Sequence, residues 1–203
     1  DTAVTEAING RIVHAGQACC SSKRFIVQEN IYDEFAGRLA ERLKGMKIGD
    51  PLDQGSRIGP LIDERAAQRV EEIVDRTVKA GAYCLCGGRR FDGNFFEPTV
   101  LTGVTPAMDI AQNLEVFGPV FPLIKFKTEE QAVAIADNCT YGLSSGVISG
   151  EIQRAIRVAR QLDAGNCTIN GTGLYRTHDM PFGGHRKSGL GTEGLYATLD
   201  EFT

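Results

Sequence analysis

The chain has 203 residues, 42% hydrophobic and 24% charged, with a formal net charge of −4. That composition fits a folded domain with a sizeable core. The acidic balance argues against a general nucleic-acid binder, which needs a basic face. No apolar run reaches the roughly 18 residues of a membrane span, and no basic-then-apolar signal segment opens the chain. Six cysteines are present without the clustering of a disulfide framework, so free thiols in a reducing, cytoplasmic setting are expected. The three histidines (His14, His178 and His185) show no metal-ligand spacing, and no metal site is expected.

Helix-like and strand-like patterns alternate along the chain. Residues 2–15 read as a helix that starts abruptly and without a Met, as in a domain cut from a longer protein. Residues 25–28 form a short β-type run. Asn30 is placed to cap a helix to about residue 43, with Ile31, Phe35, Leu39 and Leu43 on one stripe. Residues 51–60 read as loop. Asp63 is placed to cap a long helix whose Val70, Ile73, Val74, Thr77 and Val78 share a face, with Gly81 as its stop.

Residues 83–85 and 97–104 look like strands, and Cys84 and Cys86 are expected to point to one face. Residues 120–126 are a near-continuous apolar run, the mark of a strand covered on both faces. Thr128 with Gln131 is a capping-box pattern opening a helix to about residue 138. A strand over 144–149, a helix over 151–162 and a strand over 167–170 follow. A glycine-rich segment spans 171–194. The alternation predicts a three-layer α/β architecture with a mostly parallel sheet. No linker divides the chain, so a single domain over 1–203 is expected.

Gly16-Gln17-Ala18-Cys19-Cys20, with Arg24 five residues after Cys19, connects the first helix to the first strand. A cysteine acts as a nucleophile through its thiolate, which needs access and a stabilising environment. Gly16 permits a sharp turn, and Lys23 and Arg24 add positive charge, although Arg24 equally suits a carboxylate partner. On spacing alone, two cysteines filling small gaps at a helix–strand junction explain the segment as well. Residues 181–193 hold glycines interspersed with cations but lack the spacing of a P-loop or dinucleotide fingerprint. Glu115-Val116-Phe117-Gly118-Pro119 offers an acid and an aromatic two apart, suited to a diol and a flat ring or simply to a turn entering a strand.

Taken together and in order, these motifs resemble the aldehyde dehydrogenase superfamily. The family's Gly-Gln-x-Cys with a later Arg is matched by Gly16, Gln17, Cys19 and Arg24. Its Glu-x-Phe-Gly-Pro is matched by Glu115, Phe117, Gly118 and Pro119, and its strand ending in Asn by Thr168-Ile169-Asn170. Its Pro-Phe-Gly-Gly-x-Lys/Arg-x-Ser-Gly-x-Gly is matched by residues 181–191, with Arg186 in the basic slot.

The resemblance implies a Rossmann-like catalytic domain and oxidation of an aldehyde to an acid with NAD or NADP. Cys19 would be the nucleophile, and Asn170 would shape the catalytic centre. Glu115 would hold the nicotinamide ribose and Phe117 would lie beside the nicotinamide. Tyr175 and Arg176 fall in the segment that lines the substrate entrance, where Arg176 would suit a substrate carboxylate. The similarity is greatest to members acting on succinic semialdehyde, although many of those carry an Arg six residues before the cysteine, where Val13 stands.

The resemblance also implies partners outside this stretch. The family's glutamate base, its asparagine oxyanion donor and its dinucleotide-binding domain belong upstream of the cysteine, and Glu6 does not match the base motif. This chain alone is therefore expected to show little dehydrogenase activity, and the full-length protein is expected to be a homo-oligomer. Two other readings stand beside this one: a thiol hydrolase or acyltransferase with His178 or His185 as base, and a non-catalytic domain.

Overall fold

A computed structural model describes all residues, Asp1–Thr203. Helix α1 (Thr2–Ile12) buries Val4, Ala7, Ile8, Arg11 and Ile12. It stops short of residue 15 because His14, Ala15 and Gly16 all adopt positive φ (49°, 54° and 79°), which breaks the helical ladder. Strand β1 (Phe25–Gln28) leads into α2 (Glu29–Lys44). Gln28, not Asn30, caps α2, its side chain accepting from the Asn30 N–H at 3.0 Å. The buried stripe holds Tyr32, Phe35, Leu39 and Leu43, while Ile31 is exposed. Tyr32 takes the inward position, and its hydroxyl donates to the Leu123 carbonyl at 2.9 Å.

Helix α3 (Glu64–Lys79) is capped by Asp63, which accepts from the Ala66 N–H at 2.6 Å. Strand β2 (Tyr83–Cys86) precedes a small hairpin of β3 (Arg90–Phe91) and β4 (Phe95–Phe96) absent from the sequence reading. Strand β5 (Thr99–Val104) begins after Pro98, which has no N–H to give a ladder. Strand β6 (Val120–Phe126) and helix α4 (Glu129–Asp137) follow. Thr128 accepts from the Gln131 N–H at 3.2 Å, and Gln131 accepts in return from Lys127, one residue earlier than in a capping box.

The main sheet has the order β1-β6-β5-β2. β1 and β5 both run parallel to β6, while β2 is antiparallel at the edge, so the α/β sheet is mixed but mostly parallel. A bulge in β2 places Cys84 opposite Leu101 and Cys86 opposite Val100. That shift breaks the strict alternation expected of the two thiols: Cys86 is buried and Cys84 half-buried. Val120 to Ile124 are buried without a break, as a central strand requires. Each large side chain so buried contributes about 1.5–3 kcal/mol.

The later elements are β7 (Tyr141–Gly142), β8 (Ser144–Val147), α5 (Ile152–Ala159) and β9 (Asn166–Ile169). β8 and β9 pair in parallel with α5 as the crossover. The glycine-rich segment folds into β10 (Phe182–Gly183), β11 (His185–Arg186) and β12 (Thr192–Glu193), followed by α6 (Leu195–Phe202). β10 pairs with β12, and β11 reaches back to β7.

This topology positions the two main candidate motifs. β1 and β6 are adjacent and parallel. The loop entering β1 and the loop entering β6 therefore arrive at the same end of the sheet. The first carries Cys19 and the second carries Glu115 and Phe117.

Candidate active site

The loop between α1 and β1 exposes Cys19 and half-buries Cys20. Burial pushes the Cys20 thiol up from its ordinary value, and the neighbouring Cys19 adds to the effect. The Cys19 backbone N–H donates to no acceptor in the chain, the condition for a donor available to an oxyanion. The loop is otherwise tied down. Ser22 N–H and Ser21 Oγ donate to the Gly10 carbonyl at 3.0 and 3.1 Å. Gln17 Nε2 donates to the His14 carbonyl at 2.8 Å, and its Oε1 accepts from the Ile62 N–H at 2.8 Å.

Two backbones meet where this loop crosses the one before β6. Gly16 lies against Gly118 so closely that a Cβ on Gly16 would strike the Gly118 carbonyl. Its φ of +79° independently favours glycine. A Cβ on Gly118 would lie 2.7 Å from a methyl of Val70. The glycines of the two motifs thus serve close packing of one loop on the other and on α3.

Two cations sit at this junction: Arg11, to which the sequence gives no role, and Lys23, expected only as positive charge near the thiol. Arg11 is fully buried. Its Nε donates to the Val120 carbonyl at 2.8 Å, Nη2 to the Val116 carbonyl at 2.7 Å and Nη1 to Ser21 Oγ at 3.1 Å. Burial pushes this guanidinium down to about 9, with Glu115 opposing the shift. Lys23 Nζ donates to the carbonyls of Ala18 (2.7 Å), Cys19 (3.1 Å) and Ser21 (3.0 Å). The same ammonium lies 3.4 Å from Glu115 Oε1 and 4.8 Å from the centroid of the Phe117 ring. An Arg on a helix's inner face with no acid in reach along the helix is the available signal for Arg11; the local pattern marks Lys23 as a charge near the thiol but not its contacts with Glu115 and Phe117.

Arg24 does not meet a carboxylate. It donates to the carbonyls of Ala111, Ile135 and Ala136 at 3.3, 2.9 and 2.8 Å, satisfying the end of α4. Asn170 follows β9 at φ +54°. Its Oδ1 accepts from the Ser149 N–H at 2.9 Å, and its Nδ2 donates to nothing in the chain. Two residues on, Thr172 packs against Gly10, where an added Cβ would lie 2.6 Å from the Thr172 methyl. The segment after Asn170 is thereby seated on the turn of α1 whose carbonyl also anchors Ser21 and Ser22.

Tyr175 is exposed. Arg176 donates to Glu193 Oε2 at 3.0 Å and stacks 4.3 Å from the Phe182 ring centroid. Arg186 is a structural tie: it bonds Asp163 at 2.6 Å and the carbonyl of Asp137 at 3.0 Å. His185 Nδ1 is held by Asp163 at 2.8 Å. Neither His185 nor His178 hydrogen-bonds Cys19, so no Cys–His pair is assembled. No group of His, Cys, Asp and Glu side chains could hold a metal ion.

The family model for the aldehyde dehydrogenase family matches residues 1–203. The chain is 42% identical over 205 residues to a succinate-semialdehyde dehydrogenase [NADP(+)] of Deinococcus radiodurans, covering 100% of this chain and 43% of that protein. It is 36% identical over 201 residues to a lactaldehyde dehydrogenase of Methanococcus aeolicus, covering 99% of this chain and 43% of that one. The crystal structure of a succinate-semialdehyde dehydrogenase from Burkholderia pseudomallei superposes with a TM-score of 0.93 at 41% identity. It covers 100% of this chain and 42% of that one. Betaine aldehyde dehydrogenase from Staphylococcus aureus, solved with NAD+, gives 0.95 at 38% identity, covering 99% and 41%. The chain thus spans less than half the length of the relatives it matches. On sequence and fold alike, it belongs to the aldehyde dehydrogenase family.

Proposed function

We propose that this chain is the cysteine-bearing catalytic domain of an NAD(P)-dependent aldehyde dehydrogenase. The carrying observation is that the exposed Cys19 loop is packed on the loop of Glu115 and Phe117 through Gly16 and Gly118. A nucleophile and a cofactor-reading pair are thereby held as one unit.

Cys19 Sγ, as thiolate, adds to the aldehyde carbon; the C–S bond forms and the carbonyl oxygen becomes an alkoxide. The free Cys19 N–H is its donor. Asn170 shapes the same centre with its unengaged Nδ2. When bound, NAD(P)+ supplies the acceptor for the hydride that leaves the adduct. Glu115 fits the ribose half of that cofactor, because its carboxylate is half-exposed and its cationic neighbour Lys23 stands off at 3.4 Å. Phe117 presents a 41% exposed ring for the nicotinamide. The base that hydrolyses the thioester and the adenine-binding half come from upstream sequence.

Tyr175 and Arg176 stand at the substrate entrance, with Arg176 exchanging Glu193 for the distant carboxylate of a semialdehyde acid, succinic semialdehyde first among them. Two of the relatives' names support an acid-bearing aldehyde, and another names lactaldehyde. The full-length protein is a homo-oligomer in this reading. Six free thiols suit a reducing compartment such as the cytoplasm.

The test is NAD(P)H formation with succinic semialdehyde. The full-length protein turns over, Cys19→Ser abolishes turnover, and this chain alone gives little. Robust turnover after loss of Cys19 defeats the assignment.

A further inference from the structure

We propose that Lys23 is a positioning residue that aims Glu115 and Phe117 at the cofactor and locks them to the backbone of Cys19. The inference rests on the reading of Glu115 and Phe117 as cofactor residues.

The geometry around Nζ separates two kinds of contact. An ammonium has three protons, and Lys23 has three carbonyl acceptors, all in the nucleophile loop: Ala18, Cys19 and Ser21 at 2.7, 3.1 and 3.0 Å. Glu115 Oε1 lies farther off at 3.4 Å, an ion pair whose partner's protons are already directed elsewhere. The carboxylate is held by charge while its lone pairs stay open to hydroxyl donors. A direct, short ion pair would instead compete with a ribose diol for the same oxygens.

The second contact works on the ring. Lys23 Nζ stands 4.8 Å from the Phe117 centroid, within the range of a cation–π attraction. Glu115 and Phe117 alternate about Val116, whose carbonyl is fixed by Arg11. One ammonium thus touches both functional side chains of the cofactor loop. Its side chain is only 15% exposed, so the charge is fixed in place and weakly screened. Burial lowers the proton affinity of Lys23 and nearby Arg11 adds to that, while Glu115 and, more weakly, Cys19 oppose the shift without cancelling it.

The consequence is specific. Loss of the Lys23 charge frees Glu115 and Phe117 to sample other rotamers, which weakens cofactor binding more than it slows the chemistry on Cys19. Aldehyde addition uses Cys19 Sγ and its own N–H, and Lys23 spends its hydrogen bonds on carbonyls of the loop instead.

The experiment is a double-variant cycle in the full-length enzyme, using Lys23→Met, Glu115→Gln and both together, with NAD+ and NADP+ as the varied ligands. Lys23→Met is expected to raise the cofactor KM by about tenfold, as for loss of a partly buried charge pair with a cation–π contact. Its kcat and aldehyde KM are expected to change by less than about threefold. In the Glu115→Gln background Lys23→Met keeps only the part of its effect that runs through the Phe117 ring, so the two changes are less than additive. Lys23→Arg restores much of the affinity. Lys23→Gln, which keeps hydrogen-bond donors for the carbonyls and removes only the charge, takes the place of Lys23→Met if that variant misfolds.

An unchanged cofactor KM in the Lys23 variants beside a raised one in Glu115→Gln overturns the inference and leaves the proposed function standing. Equal losses of kcat and both KM values, or full additivity of the pair, reduce Lys23 to a structural residue. An unchanged cofactor KM in Glu115→Gln removes the cofactor reading of Glu115, and the inference falls with it.

Discussion

Gly16 and Gly118 touch backbone to backbone, so neither of the two family motifs can move without the other. Gly16→Ala meets two penalties, the φ of +79° and collision with the Gly118 carbonyl. A strained backbone of this kind costs of order 1–3 kcal/mol, and overpacking adds to it. A large drop in the urea midpoint is expected. Gly37→Ala is the control: it is exposed on α2 with nothing within 4 Å of the new Cβ. That change should stabilise by about 0.5–1 kcal/mol. Equal behaviour of the two variants contradicts the packing argument.

Arg11 binds the same junction from inside. Removing it leaves the carbonyls of Val116 and Val120 and the Ser21 hydroxyl without their donors in a site closed to water. Arg11→Met is expected to lower stability by about 3 kcal/mol. Arg11→Lys should recover little, since one ammonium on a flexible stem cannot reproduce a planar fork. Equilibrium denaturation of the three proteins decides it; full rescue by lysine counts against the fork geometry.

The six thiols should separate sharply. Cys19 is exposed, whereas burial pushes the thiols of Cys20, Cys84, Cys86 and Cys167 upward. At neutral pH a limiting amount of iodoacetamide is expected to mark Cys19 at least about tenfold faster than those four. Peptide mass spectrometry reads the distribution directly. Comparable labelling of Cys19 and Cys20 defeats the claim that the loop presents one sulfur.

Much of this was legible in the sequence, for physical reasons. The apolar run of β6 is legible because a strand buried on both faces has no polar positions to spare. Asp63 and Thr128 are legible as caps because a helix start needs an acceptor. The order of motifs is what makes Cys19, Glu115, Phe117 and Asn170 the proposed site residues. Less legible was whatever depends on the third dimension. Ile31 and Tyr32 are neighbours, and only the position of β6 decides that the hydroxyl of Tyr32 finds Leu123. Arg11 and Lys23 act on acceptors far along the chain, at Val116, Val120 and Glu115, which no local pattern encodes. The turn at His14 and Ala15 is not legible because alanine rarely takes a positive φ and histidine, though enriched there, does so only as a minority.

Strand β11 is tied to Asp163 by an exposed ion-pair cluster. His185, and with it Arg186, lowers the Asp163 carboxyl from its ordinary value by hydrogen bonding to the ionised form. A carboxylate whose folded pKa is depressed contributes stability above the unfolded value near 3.9 and loses it as the pH falls through the folded value. In that window the unfolded state binds more protons, so stability rises with pH. Acidification is therefore expected to free the β7–β11 ladder before the main sheet opens. Amide exchange at Lys187, which donates to the Thr140 carbonyl, reports it. Asp163→Asn should show fast exchange already at neutral pH and a flatter acid response. An unaltered pH profile in that variant assigns the acid sensitivity elsewhere.

Substrate choice is the sharpest use of the geometry at Arg176. Its guanidinium is shared between Glu193 and the face of Phe182, and its side chain remains 36% exposed. A substrate carboxylate arriving there must displace one acid by another. The exchange is nearly neutral in charge, and its gain comes from a better-placed bidentate pair. Arg176→Gln in the full-length enzyme is therefore expected to raise the KM for succinic semialdehyde by about tenfold or more. The KM for propanal, which carries no carboxylate, should stay nearly constant, and kcat should change little for either aldehyde. Glu193→Gln removes the competitor and should lower the KM for the acid substrate while leaving propanal alone. A parallel rise for both aldehydes in Arg176→Gln would instead mean that the arginine serves only to seat Phe182, and the proposed reading of it as a carboxylate site would fall.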